Sequence, residues 1–322
     1  MSMQKIAKRT GVSSATISRA FSQPEKLRPE TLERIRKLCD ELNYRPRVIP
    51  NNLSTVTVIV PDDGLVELAD GIILSNLVSE LNRHNMPTIV ATMQSLKSRP
   101  TIFQKAFIAI LRNIGDEDAQ LLRQYADVGP FITIHDTHGD IGPNAVRLSS
   151  DHRGAILNAL AHLEERGHER IAYICRRIEA KGYVQRLETY QERMTDRELF
   201  DPALLYRNDE QYLFDGLRRV CDAKPTAMIV GDTLLTQRVL HYLKILGKVV
   251  PDDISMMSME YAGGIPHLFP PITGIVQPLE GLGRTAGRLM IQTLRQSDEP
   301  ISPVQRLPYQ LVDRESVRLA QA

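Results

Sequence analysis

The sequence has no tryptophan, three cysteines, and aromatic residues at only 5% of its 322 positions. So few large rings give no indication of a hydrophobic cage for a cofactor, and none is expected. Cys39, Cys175 and Cys221 are far apart, odd in number and without a C-x-x-C pair. That excludes a disulfide framework and the common zinc spacings, and leaves three reduced thiols. No apolar run approaches the ~20 residues of a membrane-spanning helix. The polar N-terminus passes straight into a helical pattern, which predicts no signal peptide and a cytoplasmic protein. Motifs for chemistry are equally scarce. His162, Glu164, Glu165 and His168 are close in sequence, but the two histidines do not lie one helical turn apart with an acid between them, so no metal site is expected. G-x-S-x-G, a P-loop and G-x-G-x-x-G are absent, and an enzyme is not expected.

What is present is an uneven charge. Residues 1–50 carry eleven Lys and Arg against five Asp and Glu, a net +6; the remaining 272 carry 29 against 34, a net −5. A basic head on a slightly acidic body fits either a phosphate-binding module joined to a non-binding one or a small domain with a solvated basic face.

The stretch Ile6–Ser22, IAKRTGVSSATISRAFS, reads as two short helices joined by a tight turn. Gly11 ends the first, because glycine takes the left-handed turn cheaply. Val12 plugs the space between the helices and Ser13 stands at the N-cap of the second. Thr16, Ile17 and Ala20 fall at inward-facing spacing, leaving Ser14, Ala15, Ser18 and Arg19 outside. This is the layout of a helix-turn-helix that lays its second helix in a DNA major groove, where Arg19 can reach a guanine edge or a phosphate. Pro29 suits the first position of a third helix, along which Leu32, Ile35, Leu38 and Leu42 recur at helical spacing.

The runs AKRTGVSSATISRA, PEKLRPETLERI and ELNYRP closely resemble the LacI/GalR family of bacterial transcription regulators. The resemblance implies a homodimer on two-fold operator DNA, with Ser14, Ala15 and Arg19 reading bases. Thr16 and Ser18 would then hold phosphates, the alternative being that they cap or pack. It also implies a hinge in which a leucine wedges into the minor groove. Leu53 falls at that position, but Pro50 lies inside the would-be hinge helix and the connection to the body is shorter than the family pattern. An extended linker with Leu53 packed on the body is the other reading.

From residue 56 onward, short β-branched runs alternate with longer helical stretches. Strands are expected at Thr57–Val60, Thr88–Ala91, Phe107–Leu111, Phe131–His135, Ile171–Cys175, Ala227–Val230 and Ile254–Met257. This alternation predicts an α/β fold with parallel sheets and helices on both faces, binding ligands at the carboxyl ends of strands. The runs HLEERGHERIAYI, PTAMIVGD, VPDDIS, PPITGI and LVDRESV resemble the family's two-lobed, periplasmic-binding-protein-like body. The organisation implied is a three-helix head at 1–46, a hinge at 47–55 and an effector-binding and dimerisation body at 56–322. Its first lobe spans about 56–167 and 276–304, and its second about 168–275 and 305–322. Arg186 sits at the family's effector-contacting arginine, and Asp232 keeps the acid of an Asn-Asp pair whose first member is here Gly231. Glu260 replaces an aspartate and is followed by Tyr261. Asp62 and Asp63 lie at a strand end and could line the cleft.

Three function classes follow. The first is a DNA-binding regulator, a repressor controlled by a sugar, sugar acid or nucleoside between the lobes. The second is a small-molecule sensor without a DNA role. The third, an enzyme on an α/β scaffold, lacks a nucleophile–base constellation.

Overall fold

The structure, a computed structural model, describes residues 11–13, 16, 20, 27–41, 55–60, 68–98, 106–110, 116–135, 141–142, 145–260, 265–295 and 300–320. In the head, Gly11 has φ +68°. Ser13 Oγ accepts the Thr16 amide at 3.1 Å and lies 2.9 Å from the Thr16 hydroxyl, so Ser13 caps the helix expected behind it. Helix α1, Pro29–Glu41, opens on its proline and buries Ile35 completely. Ser14, Ala15, Ser18, Arg19, Leu53, Asp62, Asp63 and Tyr261 lie outside the described residues.

The body holds two six-stranded sheets. The first is laid down by β1 (Val56–Val60), α2 (Leu68–Arg83), β2 (Thr88–Thr92), α3 (Met93–Ser98), β3 (Phe107–Ile110), α4 (Asp116–Val128), β4 (Phe131–Ile134) and β5 (Ala145–Ser150). The chain then crosses and builds the second. That run is α5 (His152–Glu164), β6 (Ile171–Arg176), α6 (Lys181–Asp196), β7 (Leu205–Asn208), α7 (Leu213–Asp222), β8 (Ala227–Val230), α8 (Thr233–Ile245), β9 (Ser255–Glu260) and β10 (Thr273–Val276). It returns for α9 (Leu279–Leu294) and β11 (Val304–Leu307), and crosses a last time to β12 (Gln310–Val312).

The orders are β2-β1-β3-β4-β5-β11, parallel throughout, and β7-β6-β8-β9-β10-β12, with only β12 antiparallel. Strands β1, β3, β4 and β8 (VTVIV, FIAI, FITI, AMIV) are buried at every position. Helices cover both faces of each sheet, so these strands read as unbroken apolar runs rather than alternating ones. Each sheet carries one core on each face: α2 with α9 and α3 with α4 on the first, α5 with α6 and α7 with α8 on the second.

Two expectations about the path are corrected. Helix α5 packs against α6 and shares its core with β6. The first crossing therefore falls at Asp151, ahead of α5, not near 167. Strand β11 pairs with β5 in the first sheet, Val304 opposite Arg147, so the third crossing lies between Leu307 and Gln310 rather than at 304. The small residues Gly283 and Gly287 of α9 face α2. A Cβ on Gly283 would stand 2.3 Å from the Ile73 carbonyl oxygen, so it is the glycine that lets α9 settle on α2.

Candidate binding cleft

The carboxyl ends of β6, β8, β9 and β10 in one sheet, and of β4 and β5 in the other, gather polar residues around the three crossings. The crossings are joined to one another. Ser150, at the end of β5, accepts a hydrogen bond from Gln277 Nε2 at 3.1 Å, which links the first crossing to the second. The Tyr309 hydroxyl lies 2.9 Å from Nδ1 of His152, which links the third to the first.

Both members of that second pair are buried. Burial pushes the His152 imidazole well below its ordinary range, and the charge of Arg186, with His135 and Arg306 behind it, acts the same way. Burial pushes the Tyr309 phenol up to about 12. The phenol keeps its proton and the ring stays neutral, and the imidazole tautomer sets which of the two donates. His152 also rests on the first turn of α6, where a Cβ on Gly182 would come within 2.5 Å of its Nε2.

Arg186, on α6, is only 6% exposed. Its Nε donates to the Gly182 carbonyl at 3.2 Å and Nη1 donates to the Gly231 carbonyl at 3.2 Å. Its guanidinium carbon stands 4.2 Å over the Tyr183 ring. Gly231 has a steric reason to be glycine. Its amide bonds the Ile174 carbonyl at 2.8 Å, and a Cβ there would sit 3.2 Å from the Cys175 Cβ, crowding β6. Cys175 is itself buried, and its thiol is pushed up to about 12 by that burial, which makes it a packing group.

The two acids of the second sheet are engaged by the protein. Asp232 caps α8, taking the Leu235 amide on Oδ1 at 2.8 Å, and takes Arg176 Nε on Oδ2 at 2.8 Å. Glu260 is 3% exposed and accepts Arg314 Nη2 at 3.0 Å; Arg314 also donates to the Ile272 carbonyl. On the opposite wall, His135 follows β4 with φ +76°, and its Nε2 lies 3.5 Å from Oδ1 of the buried Asp70, outside hydrogen-bonding geometry.

Asp232 and Glu260 thus stand at the carboxyl ends of the neighbouring strands β8 and β9, and Arg186, on α6, reaches the Gly231 carbonyl beside Asp232. Residues the sequence did not single out pair at or near the crossings: His152 with Tyr309, Gln277 with Ser150, and Asp70 beside His135. Among the described residues no group of three metal-ligating side chains comes together, and no helix is long and apolar enough to cross a membrane.

Residues 2–47 match the family described as bacterial regulatory proteins, lacI family, and residues 160–317 match the periplasmic binding protein-like domain. Catabolite control protein A of Priestia megaterium is 25% identical over 340 residues, covering 97% of this chain and 98% of that one. Among solved structures, a complex of the transcriptional regulator CelR with cellobiose superposes with TM-score 0.68 at 23% identity, covering 98% of this chain and 100% of the other. A lac repressor dimer bound to operator and an anti-inducer superposes with TM-score 0.67 at 19% identity, covering 99% of each. At these identities the superpositions speak for the fold.

Proposed function

The chain belongs to the lacI family of bacterial regulatory proteins, and we propose that it is a cytoplasmic repressor that binds a near-palindromic operator as a homodimer under the control of a small molecule held between its lobes. The observation that carries this is the combination in one chain of a lacI-type head at 2–47 and a two-sheet body whose crossings are joined by buried polar side chains. The head spans 1–46, the hinge 47–55 and the body the rest. Ser13 caps the recognition helix and Thr16 is tied to that cap. Ser14, Ala15 and Arg19 read bases, Ser18 holds backbone, and Leu53 is the minor-groove wedge. In the cleft Arg186 receives the effector, Asp63 lines the first wall, and Asp232 and Glu260 frame the strand ends.

Two features favour pairing of copies. One head has too little surface for tight specific binding, which a two-fold partner supplies. Leu234 on α8 is 55% exposed and Phe269 is 92% exposed. Exposed apolar side chains of this size are suited to burial against a second copy.

Selection of bound duplexes from a random pool by the full chain tests the reading. An enriched sequence with two-fold symmetry is expected. Saturable effector binding with no enrichment would favour a sensor without a DNA role.

A further inference from the structure

Three histidines on one short run of chain each meet a different part of the C-terminal segment 309–318. Nδ1 of His152, at the start of α5, lies 2.9 Å from the Tyr309 hydroxyl. His162, in the last turn of α5, has Nε2 3.4 Å from Oδ1 of Asp313, whose Oδ2 takes Arg166 Nη2 at 2.7 Å. His168, just behind α5, has Nε2 2.9 Å from the Arg318 carbonyl and Nδ1 3.0 Å from the Thr226 hydroxyl. All three rings are buried. The segment they meet lies at an edge, where β12 ends its sheet against β10. Terminal and edge elements are where local opening costs least.

Each ring also has cations beside it. His152 faces Arg186 from α6, with His135 beyond β4 and Arg306 of β11 behind, and burial adds to their effect. Nδ1 of His162 lies 3.1 Å from Arg166 Nη1. A guanidinium only donates, so this nitrogen accepts, and a proton on it would break the contact. Asp313 and Glu165 favour the charged form of His162, but burial and Arg166 outweigh them. His168 is lowered first by burial and then by Arg166 and Arg318, against the Arg318 carbonyl. Lifting the segment brings water to these rings and returns them towards their ordinary value of about 6.5. Opening therefore takes up protons below that pH and none above it.

We propose that segment 309–318 is an acid-released clasp, seated while His152, His162 and His168 are neutral and lifted from the second sheet in mild acid before the sheets unfold. Tyr309 carries the third crossing, and β12 lies on β10, which leads to Gln277 at the second. On the reading of the chain as an effector-controlled regulator, lifting the clasp uncouples the effector response from operator binding as pH falls.

The amides of Arg314, Arg318 and Ala320 report on the clasp, because they donate to Thr273 Oγ1, Ser255 Oγ and the Arg166 carbonyl. Hydrogen exchange of the full chain, without DNA, is followed by mass spectrometry and divided by the unstructured-chain rate at each pH. Between about pH 7.5 and about pH 5.5 a single ring that regains its ordinary value raises the opening constant about tenfold. A rise of at least that size is expected in the segment, while β3 and β4 keep their protection. His162→Gln and His168→Gln, singly and together, should flatten it. Where these variants do not fold, the imidazole proton shifts of the parent chain take their place, and opening must follow the titration of the three rings. The clasp is overturned by unchanged protection of the segment, by equal loss of protection in β3 and β4, by a rise that survives in the folded glutamine variants, or by opening that does not follow the rings. Each of these leaves selective DNA binding intact, and absent sequence preference would remove the regulator reading and leave the clasp.

Discussion

The Tyr309 hydroxyl and Nδ1 of His152 share a hydrogen bond across 2.9 Å, joining the third crossing between the sheets to the first. In folds of this kind the crossings are where one lobe turns against the other. A bond between two of them therefore contributes both to stability and to the lobe angle.

Tyr309→Phe removes that partner and leaves a buried ring nitrogen unsatisfied. A loss of about 1–2 kcal/mol in urea unfolding is expected. Operator binding in the absence of effector should persist while the response to effector weakens. Unchanged stability would mean that water or Ser150 replaces the phenol without cost.

Stability should fall as the solution becomes more acidic. His152 is held well below its ordinary value of 6.5, and burial also lowers His162 and His168. Above 6.5 both folded and unfolded chains are neutral at these rings, and the native state carries no penalty. Below it the unfolded chain takes up protons that the native rings refuse, so stability is lost as pH drops towards the folded-state values. Each such ring contributes up to about 1.4 kcal/mol per pH unit over that window. Urea midpoints measured on both sides of neutrality for the parent chain and for His152→Gln check this. The variant should show the shallower decline, and an identical slope would remove His152 from the account.

Arg314→Ala strips Glu260 of its charge partner, although the carboxylate remains buried. Breaking one side of a buried pair costs about 3 kcal/mol or more. Chemical denaturation should show that loss. A loss below about 1 kcal/mol would class the pair with surface ion pairs.

Two glycines near the start of α9 should respond oppositely to alanine. A Cβ on Gly283 meets the Ile73 carbonyl oxygen at 2.3 Å and the Leu77 amide at 2.9 Å, both backbone. Gly283→Ala should destabilise by about 1–3 kcal/mol through overpacking. A Cβ on Gly281 finds nothing nearer than the Leu307 Cδ1 at 3.5 Å, and Gly281→Ala should be neutral or stabilising by up to about 1 kcal/mol. Equal effects at the two sites would contradict the close approach of α9 and α2.

Most of the strands that the sequence made legible carry apolar or β-branched runs. β1, β3, β4, β6 and β8 do so and are largely buried, edge strand β2 does so although half exposed, and β9 was reached through the apolar residues Ile254–Met257 at its start. β5 was missed because Arg147, Ser149 and Ser150 interrupt its apolar positions, and its last serine turns to the cleft. β11 and β12 were missed because they lie at sheet edges and are half exposed. In the cleft, Arg186 was reached through its family resemblance. Its partners Gly182 and Gly231 were not, since main-chain carbonyls leave no mark on a sequence. The His152–Tyr309 bond joins residues 157 positions apart, and no local spacing could announce it. The engagement of Glu260 by Arg314, across 54 positions, was hidden for the same reason.

The central claim is that one chain reads DNA sequence through its head, and fluorescence anisotropy on the selected two-fold duplex, against a scrambled duplex of equal length, tests it most directly. The full chain should bind the selected duplex at least about a thousandfold more tightly at physiological salt, with affinity falling steeply as salt rises. Arg19→Ala should both weaken binding and relax the preference. Equal affinity for the two duplexes, or an Arg19→Ala protein that keeps affinity and preference unchanged, would contradict the account.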